Sequence, residues 1–98
     1  MGLLGIDERE MMPVCRPYGI RRLSLFGSTL AGTARPDSDI DLLVEFEPGR
    51  VPGLLGMSEI ELALGRVLGK KVDLRTAADL SPHFREEVLR TARVAYAG

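Results

Sequence analysis

Hydrophobic and polar residues alternate in two short segments of the chain, residues 20–28 and residues 39–47, and this alternation is the pattern of half-buried strands. The first segment stops at Gly27, and a turn-rich connector separates it from the second. Residues 70–76, "KKVDLRT", predict a third strand. The chain therefore carries the strands of a small sheet.

Helical periodicity predicts three helices around these strands. Residues 54–68 give the clearest pattern, with one apolar face made of Met57, Ile60, Leu64, Val67 and Leu68. A first helix is expected over residues 7–16, although Pro13 would kink or shorten it. A last helix begins at Ser81 and Pro82, and its expected buried face consists of Phe84, Val88, Ala92 and Ala95. The order of elements predicts a sheet flanked by helices, of the α/β or α+β class.

Length and composition narrow the class of protein. A chain of 98 residues, 45% of them hydrophobic, is expected to form a single domain over residues 1–98 with one modest core. The formal net charge of −1 means that long-range attraction to nucleic acid or anionic membrane is not the organising feature. Cys15 is the only cysteine, and no segment has the pattern of a signal peptide or a membrane helix. We therefore expect a cytoplasmic protein with no membrane partner.

Asp39 and Asp41 stand inside an otherwise apolar strand. Residues two apart on a strand point to the same face, about 6.5–7 Å apart, so the two carboxylates project together. Two neighbouring carboxylates repel, and one would be partly protonated unless a cation lies between them. Because Mg²⁺ is usually held by one or two carboxylates together with water and phosphate oxygens, the pair predicts a divalent metal site.

Two further parts of the sequence extend this site. If the strand of Asp73 lies beside that of Asp39 and Asp41, three carboxylates converge and can hold two ions about 4 Å apart, as in-line displacement at phosphorus requires. Gly27 and Ser28 close the first strand, where backbone N–H groups and the hydroxyl can cradle a phosphate. A site with metal ions on one side and phosphate-binding groups on the other suits phosphoryl or nucleotidyl transfer.

The strings "GSTLAGTARPDSDIDLLV", "LGKKVDLRT" and "LSPHFREEVLRTARVAY" resemble the minimal nucleotidyltransferases of the polymerase-beta-like superfamily over nearly the whole chain. The resemblance implies an α+β palm fold, a small mixed sheet flanked by helices. It implies that Asp39, Asp41 and Asp73 hold two Mg²⁺ ions, with Mn²⁺ as a substitute. Asp73 would bind the ion that activates the acceptor hydroxyl, or help to remove its proton. Gly27 and Ser28 would hold the triphosphate of a nucleotide, with ATP the expected one.

The resemblance also implies a reaction and a partner. Family members join a nucleoside monophosphate to a hydroxyl and release pyrophosphate. The minimal ones are often antitoxins paired with a small helical HEPN-type toxin, to which studied members add AMP. This chain departs from its relatives where Thr29 and Ala31 stand in place of common arginines, so that a cation near the phosphates is missing. Arg35 is a candidate substitute.

Plainer interpretations of the aspartates stay open. Asp39 and Asp41 could face solvent on an edge strand, and Asp73 could pair with Lys70 or Lys71 at the surface. The alternative to an enzyme is a binding module with the same fold, which docks onto a partner with little or no turnover. The acceptor, the nucleotide base and any homo-oligomer do not follow from the sequence.

Overall fold

The computed structural model describes residues 8–27 and 39–98, which form a four-stranded mixed sheet with helices on both faces. The strands are β1 (Ile20–Leu25), β2 (Ile40–Phe46), β3 (Val72–Arg75) and β4 (Arg93–Ala97). The helices are α1 (Glu8–Cys15), α2 (Leu54–Leu68) and α3 (Pro82–Thr91), with a 3₁₀ turn over Ala77–Asp79.

The strand order across the sheet is β3-β2-β1-β4. β1 pairs antiparallel with both β2 and β4, whereas β2 and β3 are parallel. A parallel pair needs a long crossover connection, and α2 lies within it. The register of this pair aligns Asp41 with Asp73, which decides where the carboxylates of the two strands meet.

Alternation along β2 separates two hydrophobic layers. One face of β2 is buried against α1 and α2, in a core that includes Met11, Cys15, Ile40, Leu42, Val44, Ile60 and Leu64. Leu43 points to the other face, where it clusters with Phe26, Leu80 and Val88. Residues two apart on a strand share a face, so Asp41 lies on the Leu43 side, away from the larger core.

Most of the helices agree with the sequence predictions. α2 spans residues 54–68, as predicted. α1 runs through Pro13 to Cys15, and Met11 and Cys15, one turn apart, are fully buried. The predicted cap of α1, Asp7, lies outside the described residues. Within residues 8–27 and 39–98, no helix has the length and apolar character needed to cross a membrane.

The C-terminal segment corrects one prediction. α3 ends at Thr91 and the chain then forms β4, so the helical face expected to extend to Ala95 is wrong. Ala92 leaves the helix with ψ near 146°, and the β-branched and aromatic residues that follow suit a strand. The pairing of β4 with β1 satisfies backbone groups that a longer helix would have left at an open edge of β1.

Two glutamates bind outward-facing N–H groups on the two outer strands. The N–H of Leu74 in β3 donates to Oε2 of Glu61 in α2 at 2.8 Å. The N–H of Ala97 in β4 donates to Oε1 of Glu8 in α1 at 3.1 Å. Each bond satisfies a donor that the sheet itself leaves open, and it ties an edge strand to the helix packed on it.

Candidate active site

A cleft of about 360 Å³ opens on the sheet face opposite α1 and α2. Its walls come from the end of β1, from β2 and β3, and from the start of α3 with the turn before it. The charged residues among the described lining are Asp41, Asp73, Arg75 and Asp79. The cleft therefore combines several carboxylates with one guanidinium.

Asp41 and Asp73 meet in this cleft because their strands are parallel neighbours. The two residues are partners in the register of β2 and β3, and adjacent strands lie about 4.8 Å apart. Both side chains line the cleft and are half-buried. The structure thus brings two of the three predicted carboxylates to one place, from neighbouring strands.

Gly27 lies against Asp41 at the end of β1. Its φ of +71° falls in the left-handed region, and a Cβ placed on it would lie 2.5 Å from Oδ2 of Asp41. The N–H of Phe26 donates to the backbone oxygen of Asp41 at 3.2 Å, which fixes the end of β1 beside β2. Only glycine meets both conditions, the positive φ and the close approach of the carboxylate.

The remaining predicted site residues are Asp39 and Ser28. Asp39 directly precedes β2, is exposed, and is not among the described residues that line the cleft. Ser28, predicted with Gly27 to bind phosphate, lies outside the described residues, as do Thr29, Ala31 and Arg35.

The donor groups of the cleft suit a divalent ion. No three His, Cys, Asp or Glu side chains within residues 8–27 and 39–98 come close enough to hold one ion together. Mg²⁺, however, usually takes one or two carboxylates and completes its shell with water and phosphate oxygens. Asp41 and Asp73 offer such a pair, and exposed Asp39 stands just before β2, two residues ahead of Asp41. The residues present therefore fit a divalent ion shared with a phosphorylated ligand.

Arg75 holds the carboxylate of Asp73. Its Nε lies 3.2 Å from Oδ1 and its Nη2 3.5 Å from Oδ2, a two-point contact. Hydrogen bonding to Asp73, together with its charge, raises the pKa of Arg75, so the guanidinium stays cationic. The sequence predicts Lys70 or Lys71 as the partner of Asp73 in a plain surface ion pair, but the partner observed is Arg75. Lys71 and Arg75 both stand two residues from Asp73, but Lys71 precedes β3, whereas Arg75 lies in the strand and shares the face of Asp73.

The 3₁₀ turn after β3 forms one wall of the cleft and is fixed by two charged side chains. Oδ2 of Asp79 accepts hydrogen bonds from the N–H and the hydroxyl of Thr76, both at 3.0 Å, and these bonds lower the pKa of Asp79. Half-buried Arg85 of α3 donates to the backbone oxygens of Ala77 at 2.6 Å and Leu80 at 3.1 Å. The Thr-x-x-Asp spacing in the sequence indicates the contact between Thr76 and Asp79. No local pattern predicts the bonds that Arg85 donates.

Phe84 also belongs to the cleft. Helical spacing predicts a buried position for it, but the residue is 42% exposed and lines the cleft wall. Its ring packs edge-on against Phe26, with centroids 6.3 Å apart and planes at 66°. The cleft therefore has an apolar side as well as a charged one.

Solved structures share this architecture. One described provisionally as a minimal nucleotidyltransferase is 42% identical, has a TM-score of 0.72 and aligns over 94% of each chain. A toxin–antitoxin crystal structure with AMP-PNP gives a TM-score of 0.73 at 22% identity, over 94% of this chain and 74% of that one, and this likeness concerns the fold alone. The α+β fold with a mixed sheet flanked by helices is confirmed.

Sequence comparison identifies the family. The profile of the nucleotidyltransferase domain matches residues 13–95. Protein adenylyltransferase MntA of Thermococcus cleftensis is 41% identical over 92% of this chain and 95% of its own. A relative from Methanocaldococcus jannaschii, provisionally named a protein adenylyltransferase, is 35% identical over 87% of this chain and 89% of its own. The chain therefore belongs to the nucleotidyltransferase domain family, which confirms both the predicted family and the predicted class of enzyme.

Proposed function

We propose that residues 1–98 form one catalytic domain that transfers AMP from ATP to a hydroxyl group on a partner protein. The observation that carries the proposal is the register of β2 and β3, which sets Asp41 beside Asp73 in a cleft that Gly27 also lines. The name of the Thermococcus cleftensis relative, a protein adenylyltransferase, supports AMP as the transferred group.

The aspartates have distinct roles in this proposal. Asp41 in β2 and Asp39 just before it would hold divalent ions, and Asp73 would share them from β3. Mg²⁺ is the expected ion, two per site, with Mn²⁺ as a substitute. When bound, the ions supply positive charge that offsets the charge of the phosphates. The backbone at Gly27, together with Ser28, would hold the triphosphate, since a glycine lets the chain approach a phosphate closely.

Asp73 acts on the acceptor. Its carboxylate accepts the proton of the hydroxyl as the hydroxyl oxygen forms a bond to the α-phosphorus. The bond from the α-phosphorus to the oxygen bridging to the β-phosphate breaks in line, and pyrophosphate leaves. Because Arg75 contacts both carboxylate oxygens of Asp73, that contact has to loosen before the proton is taken.

The acceptor would come from a second protein. The cleft is open. The described residues form one sheet with its flanking helices, and they include no second lobe that could hold an acceptor. A structure of an AMPylated HEPN toxin from Shewanella oneidensis with an MNT antitoxin shares this fold, at a TM-score of 0.64 and 19% identity. We therefore propose a helical HEPN-type protein as acceptor and an antitoxin role for this chain, which places the reaction in the cytoplasm.

The test is an incubation of the chain, Mg²⁺ and ATP with a purified helical HEPN-type protein as the candidate acceptor, followed by intact mass spectrometry. We expect the partner to gain mass in multiples of AMP, and Asp41→Asn to abolish the gain. Glu45→Gln is the matched control, because Glu45 is an acid of the same strand that lies outside the described cleft lining and pairs with Arg22 at 3.2 Å.

Ligand binding gives a second check that does not need the partner. Mg²⁺ with ATP should raise the thermal midpoint of the wild-type chain through linkage, and the double variant Asp39→Asn with Asp41→Asn should lose that rise. A tight complex with the partner that gains no mass with any nucleoside triphosphate would instead support a binding module.

A further inference from the structure

The cleft holds more negative than positive charge. Among the described residues that line it, Asp41, Asp73 and Asp79 are carboxylates and Arg75 is the single basic side chain. A nucleoside triphosphate adds several further negative charges to this space. Divalent ions offset part of that charge, but any direct contact between a protein cation of the described lining and the phosphates has to come from Arg75.

We propose that Arg75 binds the phosphates of the nucleotide and gives up its ion pair with Asp73 when the metal-bound nucleotide enters. The inference rests on the proposed function and adds to it a phosphate-binding residue that the aspartate motif does not contain.

The ion pair between Arg75 and Asp73 is accessible to a ligand and can be exchanged at low cost. The side chains of Arg75 and Asp73 are 49% and 36% exposed, so solvent and ligands reach both groups. A solvent-exposed ion pair is weak, and breaking it costs little. The planar guanidinium that contacts both oxygens of a carboxylate also matches the geometry of a phosphate. After the exchange Asp73 faces the metal and Arg75 faces phosphate, so each charge keeps an opposite partner.

The position of Arg75 agrees with this role. Gly27 lies against Asp41, Asp41 is the register partner of Asp73, and Asp73 contacts Arg75, which gives a continuous row of groups across the cleft. A phosphate chain along this row would meet the backbone at Gly27 and the guanidinium of Arg75. A cation from β3 would thus serve the phosphates.

The experiment compares Arg75→Met with Arg22→Met by isothermal titration calorimetry, using ATP, ADP and adenosine with Mg²⁺. Arg22 is the matched control, because its ion pair with Glu45 has the same 3.2 Å length and its side chain is 47% exposed, but it does not belong to the described cleft lining. Arg75→Met should weaken ATP binding by about ten- to a hundred-fold, the effect of losing a charge-assisted hydrogen bond. Arg22→Met should leave ATP binding within about twofold of wild type.

Adenosine separates phosphate recognition from a general change of the cleft. Adenosine should bind equally to wild type and Arg75→Met. Arg75→Lys should recover part of the ATP affinity, because lysine restores the positive charge but not the two-point contact of a planar guanidinium. Equal ATP binding by wild type and Arg75→Met would overturn this inference alone, as would equal losses for ATP and adenosine. A wild-type chain that binds none of the three ligands would overturn the proposed function as well.

Discussion

Replacing Gly27 by alanine tests the contact on which the site depends. Gly27 has φ of +71°, and an added Cβ would lie 2.5 Å from Oδ2 and 3.2 Å from Cγ of Asp41. The variant therefore meets two separate costs, an unfavourable backbone conformation and a displaced carboxylate. The second cost falls directly on the proposed metal ligand.

The two costs can be sized from the structure. A non-glycine residue in the left-handed region costs about 1–2 kcal/mol. Asp41 can avoid the new methyl group by leaving its preferred rotamer, which costs about 0.5–1.5 kcal/mol. Gly27→Ala should thus destabilise the fold by about 1.5–3.5 kcal/mol, before a gain of about 0.4–1 kcal/mol from the less flexible unfolded chain. For a domain of this size each kcal/mol lowers the thermal midpoint by about 4–8 °C.

Gly49→Ala is the matched control. Gly49 has a similar φ of +76°, but a Cβ there meets no atom within 4 Å, so it carries only the backbone cost. Thermal and urea unfolding followed by circular dichroism would give both free energies. We expect Gly27→Ala to be the less stable by about 0.5–1.5 kcal/mol. We also expect Gly27→Ala alone to lose stabilisation by Mg²⁺ and ATP, because only there is Asp41 displaced.

Equal destabilisation by the two alanines, with the ligand response intact in both, would refute this reasoning. That outcome would mean that Asp41 accommodates the methyl group without leaving its place, and that close approach of the backbone at Gly27 is not required.

Three further predictions concern single residues. Burial raises the pKa of Cys15 to about 12, so the thiol should resist a disulfide reagent at pH 8 until urea unfolds the chain, and labelling by such a reagent measures this. Hydrogen bonds from Thr76 lower the pKa of Asp79 below its usual 3.8, so the stability it contributes is present above that pH and is lost as the pH falls further. Asp79→Asn should flatten the acid limb of the stability curve, and an unchanged limb would contradict this. Arg85→Met should cost about 1–3 kcal/mol in urea unfolding by removing two bonds to backbone oxygens, whereas Arg90→Met, exposed on the same helix, should cost less than about 0.5 kcal/mol.

The elements with strong local periodicity were predictable from the sequence, and the element defined by a distant partner was not. α2 follows from its apolar face and its glycine stop. β4 was missed because the apolar spacing of α3 continues through Ala92 to Ala95, and only the need of β1 for a second neighbour ends the helix. That need arises between segments about seventy residues apart, which a local pattern does not record.

Some contacts of the candidate site were likewise predictable from local sequence, and others were not. The sequence predicts that Asp41 and Asp73 lie close together only if their two strands are neighbours. In the structure β2 and β3 are neighbours, and their register pairs the two residues. Strand alternation allows the contact of Arg75 with Asp73, although Lys70 or Lys71, which precede β3, was the predicted partner. The bonds from Arg85 to the 3₁₀ turn depend on how α3 packs, so the sequence offered no sign of them.

The two helix glutamates that bind N–H groups of the outer strands affect how another chain can approach the sheet. An open sheet edge is a template onto which a second polypeptide adds a strand, in complexes as in fibrils. At the N–H of Leu74 and at the N–H of Ala97, such a strand would have to displace Glu61 or Glu8 and leave a carboxylate at the new seam. Both borders of the sheet thus discourage extension across copies of the chain. A partner is better recognised through side chains than through an added strand.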